Sequence, residues 1–377
     1  MDFIDLAAQQ KTIRTHINRN IQKVLKHGQY IMGPEIAELE QKLANYVGVT
    51  HTLGCASGTD ALLMALMAYD VGPGDIVFVP VFTFIATAEV VSLLGATPVF
   101  VDIDPRTFNM DPSKLESSIN SIKIKKPSLK PRCIIPVDLF GLPANYDAVN
   151  AIADKHNLFV IEDAAQSFGA EYHGKKACSL GNISCTSFFP AKPLGCYGDG
   201  GMCFTNDDVL ANKMYSIRVH GQGTNKYENV RIGINGRLDT IQAAVLLAKF
   251  AIFQEEIEKR QTVADRYTKE LNRSSLVTPF IPDGFKSVWA QYSVLAKDRN
   301  QRDGIIRDLK NAGIPTAIYY PVPLHLQKAY ANLGYKAGDF AVSEDIAGRI
   351  FSLPMHPYLK KKDQLFITEC INRNLSL

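Results

Sequence analysis

The chain has one tryptophan in 377 residues and no apolar run near the roughly 18 residues of a membrane-spanning helix. A membrane is therefore not an expected partner. Charge of one sign is missing too: 41 Lys and Arg against 38 Asp and Glu leave a net charge of +3. No basic block is long enough to track a phosphate backbone, so nucleic acid is not expected either. The densest basic stretch, Lys123 to Lys130, reads as a solvated loop between a helix and a strand. Seven cysteines occur, four of them (Cys178, Cys185, Cys196, Cys203) close together, but none forms a CxxC pair. That spacing argues against zinc, and reduced, partly buried thiols are expected instead. Met1-Asp2-Phe3-Ile4-Asp5-Leu6 lacks the basic region and apolar run of a signal peptide. The expected compartment is the cytoplasm.

What is present is an ordinary globular composition, 46% hydrophobic and 21% charged, in a chain too long for one growing core. A large domain over 1–250 and a small C-terminal one over 251–377 are expected. Helical periodicity over 11–47 is interrupted at His27-Gly28-Gln29 and Gly33-Pro34. From Thr52 short apolar runs alternate with helical patterns. Strands are predicted at Thr52–Ala56, Ile76–Val79, Pro98–Asp102, Cys133–Val137, Leu158–Ile161, Cys185–Phe189 and Gly201–Thr205. Helices are predicted at Thr59–Ala68, Ile85–Leu94 and Tyr146–His156. This alternation predicts an α/β fold whose mostly parallel sheet is covered on both faces, with a ligand beyond the carboxyl ends of its strands. Leu238–Leu271 reads as one continuous helix. After it, strands at Val288–Leu295 and Thr316–Tyr320 and helices at Arg302–Ala312, Ala341–Ile350 and Gln364–Asn372 predict a smaller α+β unit.

One lysine stands out against this background. Lys192 lies between the strand-like run ending at Phe189 and the glycine-rich Gly195-Cys196-Tyr197-Gly198-Asp199-Gly200-Gly201. An amine held at the mouth of a core can form a Schiff base with an aldehyde cofactor. Ser187, five positions earlier, supplies a hydroxyl for an anionic group. Asp163 follows Phe159-Val160-Ile161, so its carboxylate emerges where a buried strand ends. There it can pair with a protonated ring nitrogen, or simply cap the next helix. Ser57-Gly58-Thr59-Asp60 opens a helix and presents backbone N–H groups, an anion site or an ordinary cap. Gln166 can reach a ring hydroxyl or lie on a helix surface. Phe84 can stack on a ring or fill the core. Lysine, acid, phosphate loop and ring cover are together what pyridoxal 5'-phosphate (PLP) requires. A PLP lyase of sulfur amino acid metabolism and a catalytically idle, sugar-binding or regulatory relative are the competing readings.

Here the chain resembles the DegT/DnrJ/EryC1/StrS aminotransferases, which act on nucleotide-linked keto sugars. The motifs are Gly33-Pro34-Glu35, Ser57-Gly58-Thr59-Asp60-Ala61-Leu62, Pro98-Val99-Phe100-Val101-Asp102, Glu162-Asp163-Ala164-Ala165-Gln166 and the Ser187 to Lys192 run, in order along essentially the whole chain. The resemblance implies an aspartate aminotransferase-like fold (PLP fold type I) and a homodimer with its active sites at the subunit interface. It implies Lys192 as the Schiff-base lysine, Asp163 on the pyridine nitrogen, Gln166 on the ring oxygen, and Phe84 stacked. Thr59, Asp60 and Ser187 would hold the phosphate, with Asn235 reaching the phosphate of the neighbouring subunit's cofactor. Lysine rather than histidine at 192 disfavours the sugar dehydratase branch. Within the family the match is closest to enzymes that aminate C3 of a UDP-linked 2-acetamido-3-oxo-hexuluronate, with glutamate as donor, for bacterial surface polysaccharide. Arg237 would then meet the uronate carboxylate and Tyr320 would line the sugar site. Arg237 could equally form a helix-start salt bridge. His325 reads as a solvent-facing histidine.

Overall fold

A computed structural model describes residues 1–125, 127–272 and 274–375. Its elements, in order, are α1 (Leu6–His27), α2 (Pro34–Val47), β1 (His51–Cys55), α3 (Gly58–Ala68), β2 (Asp75–Pro80), α4 (Ala86–Leu93), β3 (Thr97–Val101), α5 (Pro112–Lys125), β4 (Lys130–Ile134), α6 (Tyr146–His156), β5 (Phe159–Asp163), β6 (Glu171–Tyr172), β7 (Lys175–Lys176), β8 (Ile183–Ser187) and β9 (Gly201–Thr205). Then follow α7 (Asp208–Ile217), α8 (Thr240–Phe250), α9 (Phe253–Leu271), β10 (Phe285–Lys286), β11 (Tyr292–Leu295), α10 (Arg299–Asn311), α11 (Ala341–Arg349), β12 (Ile350–Leu353) and α12 (Lys361–Leu375).

The punctuation of the first helices follows from their sequence. Asp5 caps α1 by accepting from Ala8 N, and Gly28 ends it in the left-handed region at φ 71°. Pro34 opens α2, where its missing N–H costs nothing, and Gly48 closes it at φ 84°. The seven-stranded sheet has the order β1-β9-β8-β5-β4-β2-β3. β9 runs antiparallel to both its neighbours and the remaining pairs are parallel. Strands covered on both faces read as continuous apolar runs, and β2 is buried from Ile76 to Pro80. The fold is the predicted PLP fold type I α/β arrangement. Its geometry brings the ends of β1, β2, β5 and β8 and the start of β9 to one edge: Gly201 is opposite both Cys55 and Ser187.

A second apolar core is built from Val263, Tyr267 and Leu271 of α9, Tyr292 of β11, Ile305 and Leu309 of α10, Phe351 of β12 and Ile367 of α12. Asp102, just past β3, binds the first turn of α11 beside it, accepting from Ser343 N at 3.0 Å and Val342 N at 3.2 Å.

Four local expectations need correction. Leu238–Leu271 is two helices, not one: the path breaks at Ala251 and Ile252, where Ile252 takes φ −112° and ψ 3°. The break lets Phe253 pack with Phe168 and Phe188, while the rest of α9 serves the second core. The strand expected over Val288–Leu295 begins only at Tyr292, because Trp289 adopts φ 54° and interrupts the extended run. Thr316–Tyr320 makes a single bridge, Ala317 to Ser352, rather than a strand. The basic stretch is less of a loop than expected, since α5 continues to Lys125 and β4 starts at Lys130. Lys126 lies outside the described residues.

Candidate active site

Five groups of residues meet at the common sheet edge. The first is the loop after β1. Ser57 Oγ accepts from Asp60 N at 3.0 Å and caps α3. Asp60 therefore has its N–H engaged, and Gly58 and Thr59 keep theirs for an anion at the helix N-terminus. Gly58 must be glycine: a Cβ there would lie 2.7 Å from Ser187 Cβ. That contact sets the Ser187 hydroxyl beside the start of α3, and the same hydroxyl accepts from Phe189 N at 3.3 Å. Burial raises the Asp60 carboxyl above its ordinary range, against the Ser57 bond.

The second segment ends β5. Asp163 is buried, 4% exposed. Its Oδ2 accepts from Thr87 Oγ1 at 2.8 Å and its Oδ1 from Ala165 N at 3.2 Å. Burial pushes this carboxyl up, while Thr87, Ala165 and the Lys192 ammonium pull it down. Behind it lies a pair of fully buried acids. Glu162 accepts from Cys178 N, Leu180 N and Ser184 Oγ. Asp138 accepts from Ala144 N, Tyr146 OH and Ser167 Oγ. Burial, and then the neighbouring Glu162, push the Asp138 carboxyl well above the usual range.

The third segment is the turn after β8. Lys192 N donates to Phe189 O at 2.8 Å. Its half-buried side chain has its pKa lowered by removal from water, with the Asp163 carboxylate acting in the opposite sense. Lysine and acid thus sense each other's charge across the sheet edge. The turn is gripped from α8, where Gln242 accepts from Tyr197 N at 2.8 Å and donates to Tyr197 O at 3.3 Å.

The fourth group, drawn from the turn after β5, the loop after β2 and the loop from Tyr320 to His325, covers these side chains. Gln166 is buried, not on a helix surface. Its Oε1 accepts from Phe140 N at 2.7 Å, and its Nε2 donates to Tyr320 OH at 3.3 Å. Phe84 is 55% exposed rather than a core aromatic, and its ring centroid is 6.3 Å from that of Tyr320. His325, five residues after Tyr320, is not solvent-facing. It is 2% exposed, packs 4.7 Å from the Phe340 ring and bonds Glu344 at 3.0 Å. The loop turns inward there because Leu324 N donates to Val81 O at 2.9 Å.

The fifth segment carries Asn235 and Arg237. Gly236 accepts from Ala56 N at 3.0 Å and donates to Arg218 O at 3.0 Å, which fixes the segment beside the Ser57 loop. Arg218 is itself held by Glu40 at 2.7 Å. Asn235 is exposed and its side chain makes no hydrogen bond among the described residues. Arg237 is half-buried, makes no ion pair among the described residues, and its Nε is buried without a partner. The helix-start salt bridge is therefore not formed. Thr87, Gln242 and the Glu40–Arg218 pair were not singled out from the sequence. The only hint for Thr87 was a polar residue inside the apolar stretch Ile85-Ala86-Thr87-Ala88.

The model of the DegT/DnrJ/EryC1/StrS aminotransferase family matches residues 11–372. The chain belongs to this family. It is 52% identical over 95% of its length to a UDP-2-acetamido-2-deoxy-3-oxo-D-glucuronate aminotransferase of Pseudomonas aeruginosa, covering 96% of that protein. A crystal structure of a DegT/DnrJ/EryC1/StrS aminotransferase from Brucella abortus superposes with a TM-score of 0.96 at 52% identity, with all of each chain covered. A Streptococcus pneumoniae sugar aminotransferase solved in its PLP form gives a TM-score of 0.89 at 26% identity, over 96% of each chain. As a DegT/DnrJ/EryC1/StrS aminotransferase the chain is a transaminase that uses PLP, and the residues present suit that cofactor. A buried carboxylate lies within electrostatic reach of a lysine of lowered basicity, and a helix N-terminus with a serine hydroxyl beside it suits a phosphate. Among the described residues no group of His, Cys, Asp and Glu could hold a metal, and no helix is long and apolar enough to cross a membrane. The six buried cysteines, Cys55, Cys133, Cys178, Cys185, Cys196 and Cys203, are free thiols.

Proposed function

We propose that this aminotransferase moves an amino group from glutamate to the C3 ketone of a UDP-linked 2-acetamido-3-oxo-hexuronate, in the cytoplasm, for O-antigen or related surface polysaccharide. The observation that carries the reading is Arg237. It is a half-buried guanidinium beside the anion loop, with a buried Nε that has no hydrogen-bond partner among the described residues. A planar fork of this kind suits a carboxylate on the substrate. The similarity to the Pseudomonas enzyme supports the same substrate class.

Bound at this edge, PLP supplies an aldehyde for amine exchange and a protonated ring that accepts the electron pair left on carbon. Lys192 is the attachment point. As a free amine, Lys192 would be the base that takes the amino donor's α-proton and delivers it to the cofactor's C4′ carbon. Burial favours its neutral form, which is the form a base needs. Asp163 holds the ring nitrogen's proton. Gln166, oriented by Phe140 N, offers its amide to the ring oxygen, and Phe84 covers the ring face with Tyr320 lining the sugar side. Gly58, Thr59, Asp60 and Ser187 form the phosphate cup. Asn235, exposed and with a side chain that makes no hydrogen bond among the described residues, reaches the phosphate in the partner subunit of a homodimer. Residues 1–250 act as the large PLP-binding domain and 251–377 as the small C-terminal domain; the separate apolar core from Val263 to Ile371 supports this division. The test is mass spectrometry and NMR of the product formed from candidate 3-keto and 4-keto UDP-sugars with glutamate. The reading expects amination of the 3-oxo-hexuronate at C3. An amine at C4, or preference for a sugar without a carboxylate, would contradict it.

A further inference from the structure

We infer that Thr87 is a positioning residue for the chemistry: its hydroxyl holds Asp163 in the ionised form that keeps the cofactor ring protonated. The inference rests on the reading of Asp163 and Lys192 given above.

A carboxyl and a pyridine nitrogen can share one proton in two ways. The proton sits on nitrogen, giving an ion pair, or on oxygen, giving a neutral pair. In a dry site the neutral pair gains, because burying charge is costly. Asp163 is 4% exposed and lies at the end of a strand buried on both faces. Burial alone therefore works against the ionised form that an electron sink needs. Donors aimed at the carboxylate reverse this, since each one stabilises the anion more than the acid.

Two such donors exist among the described residues. One is the backbone N–H of Ala165, which no side-chain substitution removes. The other is Thr87 Oγ1, 2.8 Å from Asp163 Oδ2. Thr87 is 1% exposed and stands in the first turn of α4, 76 positions away in sequence. A buried threonine in a helix commonly turns its proton back to the carbonyl one turn earlier. Here the hydroxyl points across to β5 instead. The hydroxyl of Thr83, also buried, lies 3.4 Å from that of Thr87 and can donate to it, leaving Thr87's own proton for Asp163. The segment from Thr83 to Thr87 also carries Phe84, so one short stretch both covers the ring and sets the charge state of its counter-ion.

The experiment uses the holoenzyme reconstituted with PLP labelled with 15N in the ring. Thr87→Val keeps the shape and removes the hydroxyl. Thr87→Ala removes it with a smaller, helix-favouring side chain, in case the valine variant folds poorly. Thr87→Ser keeps the hydroxyl. Borohydride reduction and peptide mapping establish that the cofactor is on Lys192 in each protein. Wild type and Thr87→Ser are expected to share the 15N shift of a protonated ring nitrogen. Thr87→Val and Thr87→Ala are expected to move toward the neutral pyridine value, with the glutamate half-reaction slowed about 10–100-fold, as loss of a hydrogen bond to a charged group implies. The rate should be recovered in Thr87→Ser. A folded valine or alanine variant with cofactor on Lys192, an unchanged 15N shift and a rate within about twofold of wild type would overturn the role of Thr87 and leave the site assignment standing. Cofactor found elsewhere than Lys192 in the wild type would overturn both.

Discussion

Replacing Arg237 by alanine separates substrate recognition from scaffold. The backbone of this segment is held by Ala56 and Arg218 through Gly236, and none of these bonds uses the Arg237 side chain. The guanidinium makes no ion pair among the described residues, so its removal strands no carboxylate among them. The fold and the bound cofactor are therefore expected to survive. What is lost is a charge-assisted contact with the substrate's C6 carboxylate, which contributes about 1.5–3 kcal/mol, or roughly ten- to a hundredfold in binding. The assay is kcat/KM on the UDP-linked 3-oxo-hexuronate and on its 6-hydroxy analogue, with glutamate saturating. Arg237→Ala should lose about that factor on the uronate and change little on the analogue. Equal losses on the two sugars would refute the carboxylate role and leave Arg237 a structural residue.

Other expectations concern the partner subunit and the buried charges. Mixing inactive Lys192→Ala with inactive Asn235→Ala subunits should restore part of the activity, because one site of the hybrid then has both residues intact; no rescue after proven subunit exchange would place the site within one chain. Burial raises the Asp138 carboxyl above its ordinary range, so its native state keeps a proton to higher pH than the unfolded chain does. Asp138→Asn should therefore match or exceed wild-type stability in urea at pH 7, its advantage fading as the pH falls into the carboxylate range, whereas Asp138→Ala strands three donors and should cost about 2–4 kcal/mol. Lys249 is 1% exposed, lies over the Tyr197 ring at 4.4 Å, and among the described residues has no hydrogen-bond partner for its Nζ. Burial lowers its pKa to about 8, below the ordinary 10.5, so wild-type stability should rise with pH between these values as the unfolded chain keeps the extra proton. Lys249→Met should abolish that rise in urea titrations, and an unchanged slope would show that the amine is solvated.

The parts of the site legible in the sequence were those marked by a change of local pattern. Asp163 ends an apolar run and Lys192 stands before a glycine cluster, and both marks survive without knowledge of any distant contact. The limits of α6 were equally plain, because Asn145 caps its start and Asn157 ends it at φ 54°. What was not legible depended on contacts far apart in the chain or on one residue's backbone. Thr87 looks like any threonine in an apolar helix until β5 is placed against α4. The Glu40–Arg218 pair joins residues 178 positions apart. His325 seemed polar and free, yet Glu344 from α11 gives it a buried partner. Trp289 stops a strand through a left-handed φ that a β-favouring aromatic does not announce. The hairpin of β6 and β7 did leave a trace in His173-Gly174, a two-residue turn with φ of 47° and 81°.

The central claim is that Lys192, within electrostatic reach of Asp163 at the sheet edge, is where the cofactor is held and where the proton is moved. Reducing the holoenzyme with borohydride and mapping the phosphopyridoxyl group by peptide mass spectrometry tests it directly. The account predicts the label on Lys192, and its absence when glutamate is added before the reductant. A label on another lysine, or none on the yellow protein, would contradict it.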